Sequence, residues 1–182
     1  RRYWDLDPEK KIRYATEQEY IDHFKKLLDE AVKCRLRSAY PVGAELSGGI
    51  DSSAVTGFAA QFKKINTFSH TLPDWAWEKE FPYKDERKFA EQVNKHCKVT
   101  NSYQITGEEN GILKSLKRGI SLNQGITQGM LSLYSDALYH KAQNTGTRTL
   151  LSGFGGDELV SYKGGGYFKE LAYQHRYLKL IK

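Results

Sequence analysis

Hydrophobic positions recur along this chain in short segments that alternate between helical and strand spacing. The first segment begins at Thr16, where Thr16 and Glu19 form the capping-box pattern of a helix N-terminus. Apolar residues then recur at helical spacing until the helix ends ahead of Pro41: Ile21, Phe24, Leu27, Leu28, Ala31 and Val32. We therefore predict a long amphipathic helix that packs its apolar face against the domain.

Further apolar segments predict strands, each followed by a segment with helical character. The strands are expected at 41–46, 65–70, 99–105 and 148–151. The helices are expected from about 50 to 61, at 84–96 with Phe89, Ala90 and Val93 inward, at about 108–118, at 130–143 and at 167–182. The segment that carries Trp75 and Trp77 is expected to be a loop between a strand and a helix. This alternation predicts an α/β fold, with a parallel sheet and helices on both faces.

Composition and charge narrow the function classes. The chain has 182 residues, a net charge of +6 and a hydrophobic share of 39%. The basic residues are scattered, which favours a solvated surface over a nucleic-acid interface. No apolar segment approaches the roughly 20 residues that cross a bilayer, so no membrane partner is expected. Cys34 and Cys97 lack metal-site spacing and are expected to be reduced thiols in a cytoplasmic protein.

The first candidate site is Ser47-Gly48-Gly49-Ile50-Asp51-Ser52, between a predicted strand and a helix. Its glycines allow close backbone approach, and N–H groups at the helix start favour phosphate oxygens. The anionic Asp51 fits such a site only if a divalent cation such as Mg²⁺ lies between carboxylate and phosphates. The segment has no lysine, which excludes a Walker A loop.

This first segment resembles the pyrophosphate loop of enzymes that cleave ATP between the α and β phosphates. The structural alternative is a glycine turn whose serines cap a helix.

A second glycine-rich segment, SGFGGDE at 152–158, directly follows the last predicted strand. Ligands of parallel sheets bind beyond the C-terminal ends of the strands, so both segments are expected at one edge. With the YWDLDP lead-in, they resemble the C-terminal synthetase domain of the asparagine synthetase family. The bacterial asparagine synthase-related branch, which includes peptide cyclases, is the more similar one. The resemblance extends from about Tyr3 to Tyr162 and implies a Rossmann-like adenine-nucleotide alpha hydrolase (PP-loop ATP pyrophosphatase) architecture.

The resemblance also implies an activity, its cofactors and its residues. It implies a ligase that uses ATP and Mg²⁺ to adenylate a carboxylate, aspartate by family default, and then forms an amide with ammonia from glutamine. Asp51 and Asp157 match the metal-binding, catalytic carboxylates. The residues that match the pyrophosphate loop are Ser47, Gly48, Gly49, Asp51 and Ser52. The residues that match the surroundings of the nucleoside are Leu46, Ser69, His70, Ser152 and Gly153.

Asp85 and Glu86 open the predicted helix at 84–96. Carboxylates at a helix start are also favoured by the helix dipole alone. Family members place an acidic residue here near the substrate, so the resemblance makes Glu86 a further catalytic candidate.

The chain departs from the family pattern in several places. Phe154 stands where the housekeeping enzymes usually carry glutamate, and its side chain cannot accept a proton. The family's catalytic lysine is expected beyond residue 182. The resemblance also implies that residues 1–15 are a lead-in from a missing N-terminal glutaminase domain. Residues 16–182 are expected to be an ATP-binding synthetase domain truncated at its C-terminus. The expected partners are small molecules, with ammonia supplied by a glutaminase domain, and a homodimer stays open.

Other functions stay open on the residues alone. The basic charge would suit another pyrophosphate-loop enzyme, such as a tRNA-modifying thiolase or a GMP synthetase, although the second motif argues against it. A related amidoligase or peptide cyclase would act on another carboxylate. Phe154 would suit a nucleotide-binding module without full activity, although the two aspartates, Asp51 and Asp157, argue against that.

Overall fold

The computed structural model describes residues 3, 5, 7, 10–79, 86–108, 111–125, 131–159 and 166–175. The strands within these ranges are β1 (Val42–Glu45), β2 (Ile65–His70), β3 (Asn101–Ile105) and β4 (Thr149–Leu151). The helices are α1 (Glu17–Arg35), α2 (Ile50–Phe62), α3 (Asp74–Lys79), α4 (Arg87–His96), α5 (Ile112–Asn123), α6 (Leu131–Asn144), α7 (Gly156–Leu159) and α8 (Tyr167–Tyr173). The predicted alternation is confirmed, with element ends shifted by a few residues. The predicted helical residues 84–85, 109–110, 130 and 176–182 lie outside the described ranges.

The strands form one parallel sheet in the order β3-β2-β1-β4. β1 lies in the middle, with Val42 level with Ile65 of β2 on one side and with Thr149 of β4 on the other. The chain therefore leaves β1 towards β2 and β3, and later returns to pair β4 on the opposite side of β1. This reversal opens a crevice beyond the C-terminal ends of β1 and β4, where ligands of such folds bind.

Helices cover both faces of the sheet, as the sequence predicts. On one face α1 and α2 pack on β1, in a buried cluster that includes Val32, Val42, Ala59 and Leu151. On the other face α6 packs Leu138 against Phe68. Alternate strand residues face opposite sides, so β2 and β4 contribute to both clusters, with Ile65 and Leu151 in the first and Phe68 and Leu150 in the second.

The long first helix is confirmed, but most of its predicted inner face is not buried. The Thr16 hydroxyl accepts a hydrogen bond from the Glu19 N–H, and the Glu19 carboxylate accepts one from the Thr16 N–H at 2.8 Å. Val32 is buried, whereas Ile21, Phe24 and Leu27 are 39%, 45% and 50% exposed. At about 1.5 Å per residue, α1 is about 28 Å long, whereas α2, the helix that it packs against, is about 20 Å long. Part of α1 therefore extends beyond α2.

Two further local predictions are wrong. Phe89 of α4, expected to face inward, is 59% exposed, while Ala90 is buried. The segment with Trp75, expected to be a loop, contains α3, which starts after Pro73 with an acidic residue in its first turn. Among the described helices, none combines the length and the apolar character that a bilayer crossing needs.

Gly43 in β1 is required by the packing around it. A Cβ at this position would lie 2.6 Å from Phe68 Cε2 and 2.9 Å from Leu150 Cδ2. We expect Gly43→Ala to lower the free energy of unfolding by about 1–3 kcal/mol, because the surrounding core must shift. Urea denaturation measures this change.

Gly57→Ala is the matched control. A Cβ on Gly57, inside α2, meets nothing within 4 Å. This variant should gain up to about 1 kcal/mol from the lower conformational freedom of alanine. Equal stability of the two variants would show that the space around Gly43 is not as tight as described.

Candidate functional site

A cleft of about 680 Å³ opens at the C-terminal edge of the sheet, at the reversal of strand order between β1 and β4. Residues of both glycine-rich segments line it, together with the ends of β1 and β2 and one residue of α6. The lining residues are Glu45, Leu46, Ser47, Gly49, Ile50, Asp51, Ser52, Phe68, His70, Glu86, Leu138, Ser152, Gly153, Phe154 and Asp157. The two segments therefore meet at one edge, as predicted.

The loop between β1 and α2 is held by its own hydroxyl groups. The Ser47 and Ser52 hydroxyl oxygens lie 3.0 Å apart, and the Ser52 hydroxyl donates to the Gly49 carbonyl at 3.2 Å. The N-cap of α2 is Gly49, and no side chain caps the helix. The N–H groups at the start of a helix favour an anion, and the glycine N-cap of α2 has no side chain to compete with one. The alternative that these serines cap α2 does not hold.

Gly48 allows the next structural layer to approach this loop. Its φ of +96° is in the left-handed region, and a Cβ would lie 2.8 Å from Phe89 Cβ and 2.9 Å from the Glu86 carbonyl oxygen. The start of α4 therefore packs directly behind the loop, which brings Glu86 to the cleft wall. Asp85, the neighbouring carboxylate, lies outside the described residues.

The second glycine-rich loop lies in direct contact with the first. A Cβ on Gly153 would lie 2.5 Å from the Ser52 backbone nitrogen. A Cβ on Gly156 would lie 2.2 Å from Asp51 Cγ and 2.3 Å from Asp51 Oδ2. Only glycine at both positions permits this approach. The contact places the backbone just before Asp157 against the side chain of Asp51.

Asp51 and Asp157 both line the cleft, from loops that are about a hundred residues apart in sequence. Their carboxylates suit Mg²⁺, which takes one or two protein carboxylates and completes its coordination with water and substrate phosphates. Within the described ranges, no group of three or more His, Cys, Asp or Glu side chains could hold a metal by itself. Two carboxylates together with substrate phosphate oxygens are a donor set that suits Mg²⁺.

The inner end of the cleft has a different character. Leu46, Phe68 and Leu138 are at most 1% exposed and form apolar walls. The Leu46 N–H donates to the Phe68 carbonyl at 2.9 Å, which ties the ends of β1 and β2 together. His70 and Glu45 add polar groups. Partial burial lowers the pKa of His70 below its usual value, and the nearby charge of Glu45 opposes that shift.

Most of the residues that the sequence singled out line this cleft. They are Leu46, Ser47, Gly49, Asp51, Ser52, His70, Glu86, Ser152, Gly153 and Asp157. Gly48 lies behind the loop, as described above. Ser69 is 4% exposed, and its hydroxyl has no hydrogen-bond partner among the residues that the structure describes. Since strand residues alternate between faces, the Ser69 side chain points away from the face of His70 and contributes nothing to the lining.

Several lining residues were not singled out by the sequence. Glu45 could have been noticed, because it is a charged residue at the end of an otherwise apolar strand. Ile50 lies within the first motif and is 85% exposed at the mouth of the cleft. Phe68 and Leu138 carry no local signal, since a buried apolar residue in a strand or helix is expected anywhere in a core.

The family model and the sequence comparison both indicate similarity to asparagine synthetases. The family model for asparagine synthase matches residues 23–182. A glutamine-hydrolyzing asparagine synthetase of Bacillus subtilis is 31% identical over 157 residues, which cover 84% of this chain and 20% of that protein. A putative glutamine-hydrolyzing asparagine synthetase of Methanocaldococcus jannaschii is 49% identical over 70 residues, 37% of this chain and 13% of that protein.

Among solved structures, the NH3-dependent NAD synthetase of Campylobacter jejuni is similar with a TM-score of 0.43 and 20% identity, covering 80% of this chain and 60% of that one. The chain spans a fifth or less of the length of these two curated relatives. The family model, in contrast, covers most of the chain, including both glycine-rich loops. The chain therefore belongs to the asparagine synthase family.

Proposed function

We propose that this chain is the nucleotide-binding part of an ATP-dependent ligase that adenylates a carboxylate and then forms an amide bond. Membership of the family supports an ATP-using carbon–nitrogen ligase. The observation that carries the proposal is the contact of the two loops, which brings Asp51 and Asp157 to one cleft. A cleft with one anion-favouring helix start and two carboxylates suits a metal-bound polyphosphate better than an uncharged ligand.

The cleft offers separate places for the parts of ATP. The N–H groups at the start of α2 would bind the phosphates, and the hydroxyls of Ser47 and Ser52 would donate to them after turning away from the hydrogen bonds that they make within the loop. Leu46 and His70 would lie beside the base, and Ser152 and Gly153 beside the ribose. Asp51 and Asp157 would hold Mg²⁺, which supplies charge neutralisation on the pyrophosphate leaving group when bound.

The adenylation step requires little covalent chemistry from the protein. An oxygen of the substrate carboxylate attacks the α phosphorus, and the bond from that phosphorus to the α–β bridging oxygen breaks. Pyrophosphate leaves with the bonding electrons, and an acyl-adenylate forms. Fixed N–H donors stabilise the charge that develops on the leaving oxygen, because they are oriented before the reaction.

In the amidation step, an amine nitrogen attacks the acyl carbonyl carbon, AMP leaves, and the nitrogen loses a proton. Aspartate as the carboxylate, and ammonia from a glutaminase domain as the amine, are the family defaults that we adopt. A homodimer and a cytoplasmic location belong to the same proposal. Phe154, 92% exposed at the cleft, cannot take up the proton, so we assign that role to another group, with Glu86 as the candidate on the cleft wall.

The test uses radiolabelled ATP and identifies which phosphate products the full-length protein that contains this chain releases. With ATP labelled on the α or the γ phosphate, we expect AMP and pyrophosphate in equal amounts, dependent on Mg²⁺ and on an added carboxylate. Release of orthophosphate and ADP would contradict the proposal, because it requires cleavage between the β and γ phosphates.

A related amidoligase or peptide cyclase is the second candidate, and exposed apolar residues at the mouth of the cleft favour it. Ile50 and Phe154 are 85% and 92% exposed there, and a small charged amino acid gains little from them. The same labelling assay distinguishes the two, since aspartate alone would then fail to support pyrophosphate release while a larger carboxylate would support it.

A further inference from the structure

The Glu45 carboxylate lies at the inner end of the cleft, on the last residue of the central strand β1. It is half-buried, and within the described part of the chain no side chain or N–H group donates a hydrogen bond to it. A half-buried carboxylate without a donor is costly unless a ligand or water supplies one. Glu45 is therefore available to a hydrogen-bond donor of whatever binds here.

The surroundings of Glu45 indicate the shape of that ligand. Phe68, level with Glu45 in the sheet, and Leu138 of α6 are almost fully buried and form apolar walls. The remaining polar side chain at this end is His70. Apolar walls with a few convergent polar groups suit a flat heteroaromatic ring. The hydroxyl and N–H groups that favour phosphate lie at the other end, around Ser47 and Ser52.

The negative charge of the Glu45 carboxylate restricts which heteroaromatic ring can bind beside it. An ionised carboxylate only accepts hydrogen bonds. Adenine carries an amino group at its 6-position, which donates. Guanine and hypoxanthine carry a carbonyl oxygen there, which would face the carboxylate as a second acceptor. The neighbouring N1–H of these two bases is a donor, but it would reach the carboxylate only if the ring shifted between the apolar walls.

We propose that Glu45 accepts a hydrogen bond from the 6-amino group of adenine and so selects ATP over nucleotides with a 6-oxo base. This inference rests on the proposed function, because it takes the cleft to bind a nucleoside triphosphate. Glu45 is a specificity-determining residue in this account and takes no part in the reaction at phosphorus. Ribose hydroxyls are also donors, but the apolar walls around Glu45 suit the base rather than the sugar.

The test compares ATP, ITP and 2′-deoxy-ATP in wild-type full-length protein and in the variant Glu45→Gln. ITP differs from ATP by a carbonyl oxygen in place of the 6-amino group. We expect wild type to bind ATP about 10- to 100-fold more tightly than ITP, as a charge-assisted hydrogen bond would give. In Glu45→Gln the amide can donate to the carbonyl oxygen, so the preference should fall to about threefold or less. Isothermal titration calorimetry with Mg²⁺ measures both affinities.

The matched control is Glu30→Gln, which removes the same charge from the exposed side of α1. It should keep the wild-type preference for ATP. An unchanged preference in Glu45→Gln would overturn the inference while leaving the proposed function intact. Loss of 2′-deoxy-ATP binding in wild type, with no base preference, would also overturn it in favour of a ribose contact. If wild type binds none of the three nucleotides, the proposed function itself fails.

Discussion

Replacing Asp51 with asparagine is expected to lower Mg²⁺-dependent pyrophosphate release by about 10²- to 10³-fold in the full-length protein. The amide has the same size as the carboxylate but lacks its charge, so the metal that neutralises the leaving group would bind weakly. Since the substitution replaces only one carboxylate oxygen by an NH₂ group, the melting temperature should stay close to that of wild type. Radiolabelled ATP turnover over a range of Mg²⁺ concentrations measures the effect.

Asp29→Asn provides the control for this experiment. Asp29 lies on α1 and does not line the cleft, so the same chemical change should leave turnover unaffected. A wild-type rate for Asp51→Asn would remove Asp51 from the metal site. That result would favour a nucleotide-binding module without catalysis over the ligase.

The second large effect is expected from Gly156→Ala. The added Cβ would lie 2.2 Å from Asp51 Cγ, so the Asp51 side chain must turn away or the two loops must separate. Either change moves the carboxylate by about an ångström or more, and we expect turnover to fall by about 10²-fold. Gly156 does not have a positive φ, so alanine itself introduces no backbone strain.

Two comparisons decide whether Gly156→Ala acts through Asp51. A Cβ on Gly125 meets nothing within 4 Å, so Gly125→Ala should keep wild-type turnover. If the effect passes through Asp51, adding Gly156→Ala to Asp51→Asn should cost little more, because the two changes remove the same interaction. Fully additive losses would show that Gly156 is needed for another reason.

The sequence predicted the elements well where the signal was local. The capping box at Thr16 and Glu19 was confirmed in both hydrogen bonds, because it depends on residues three positions apart. The glycine-rich loops were placed correctly at strand ends, since strands alternating with helices force parallel pairing and put all C-terminal ends at one edge. Both loops do line one cleft.

Burial was predicted less well, because it depends on the lengths of the elements that pack together. Helical spacing placed Phe24 and Leu27 on the same face as Val32, but of these three residues only Val32 is buried. Phe89 followed the spacing of a buried residue, yet its side chain is exposed while its Cβ lies against the first loop. Periodicity identifies one face of a helix and cannot tell how far along that face a neighbour extends.

By itself, the sequence determined the parallel α/β fold, the two glycine-rich loops and the family resemblance, because each is encoded in short spacings. Only the tertiary structure decided that β4 returns to pair with β1, and this pairing sets Gly153 and Gly156 against Ser52 and Asp51. The same strand order joined Glu45, Phe68 and Leu138 at the inner end of the cleft. Contacts between segments so far apart depend on strand order and helix packing, and no local pattern of residues encodes them.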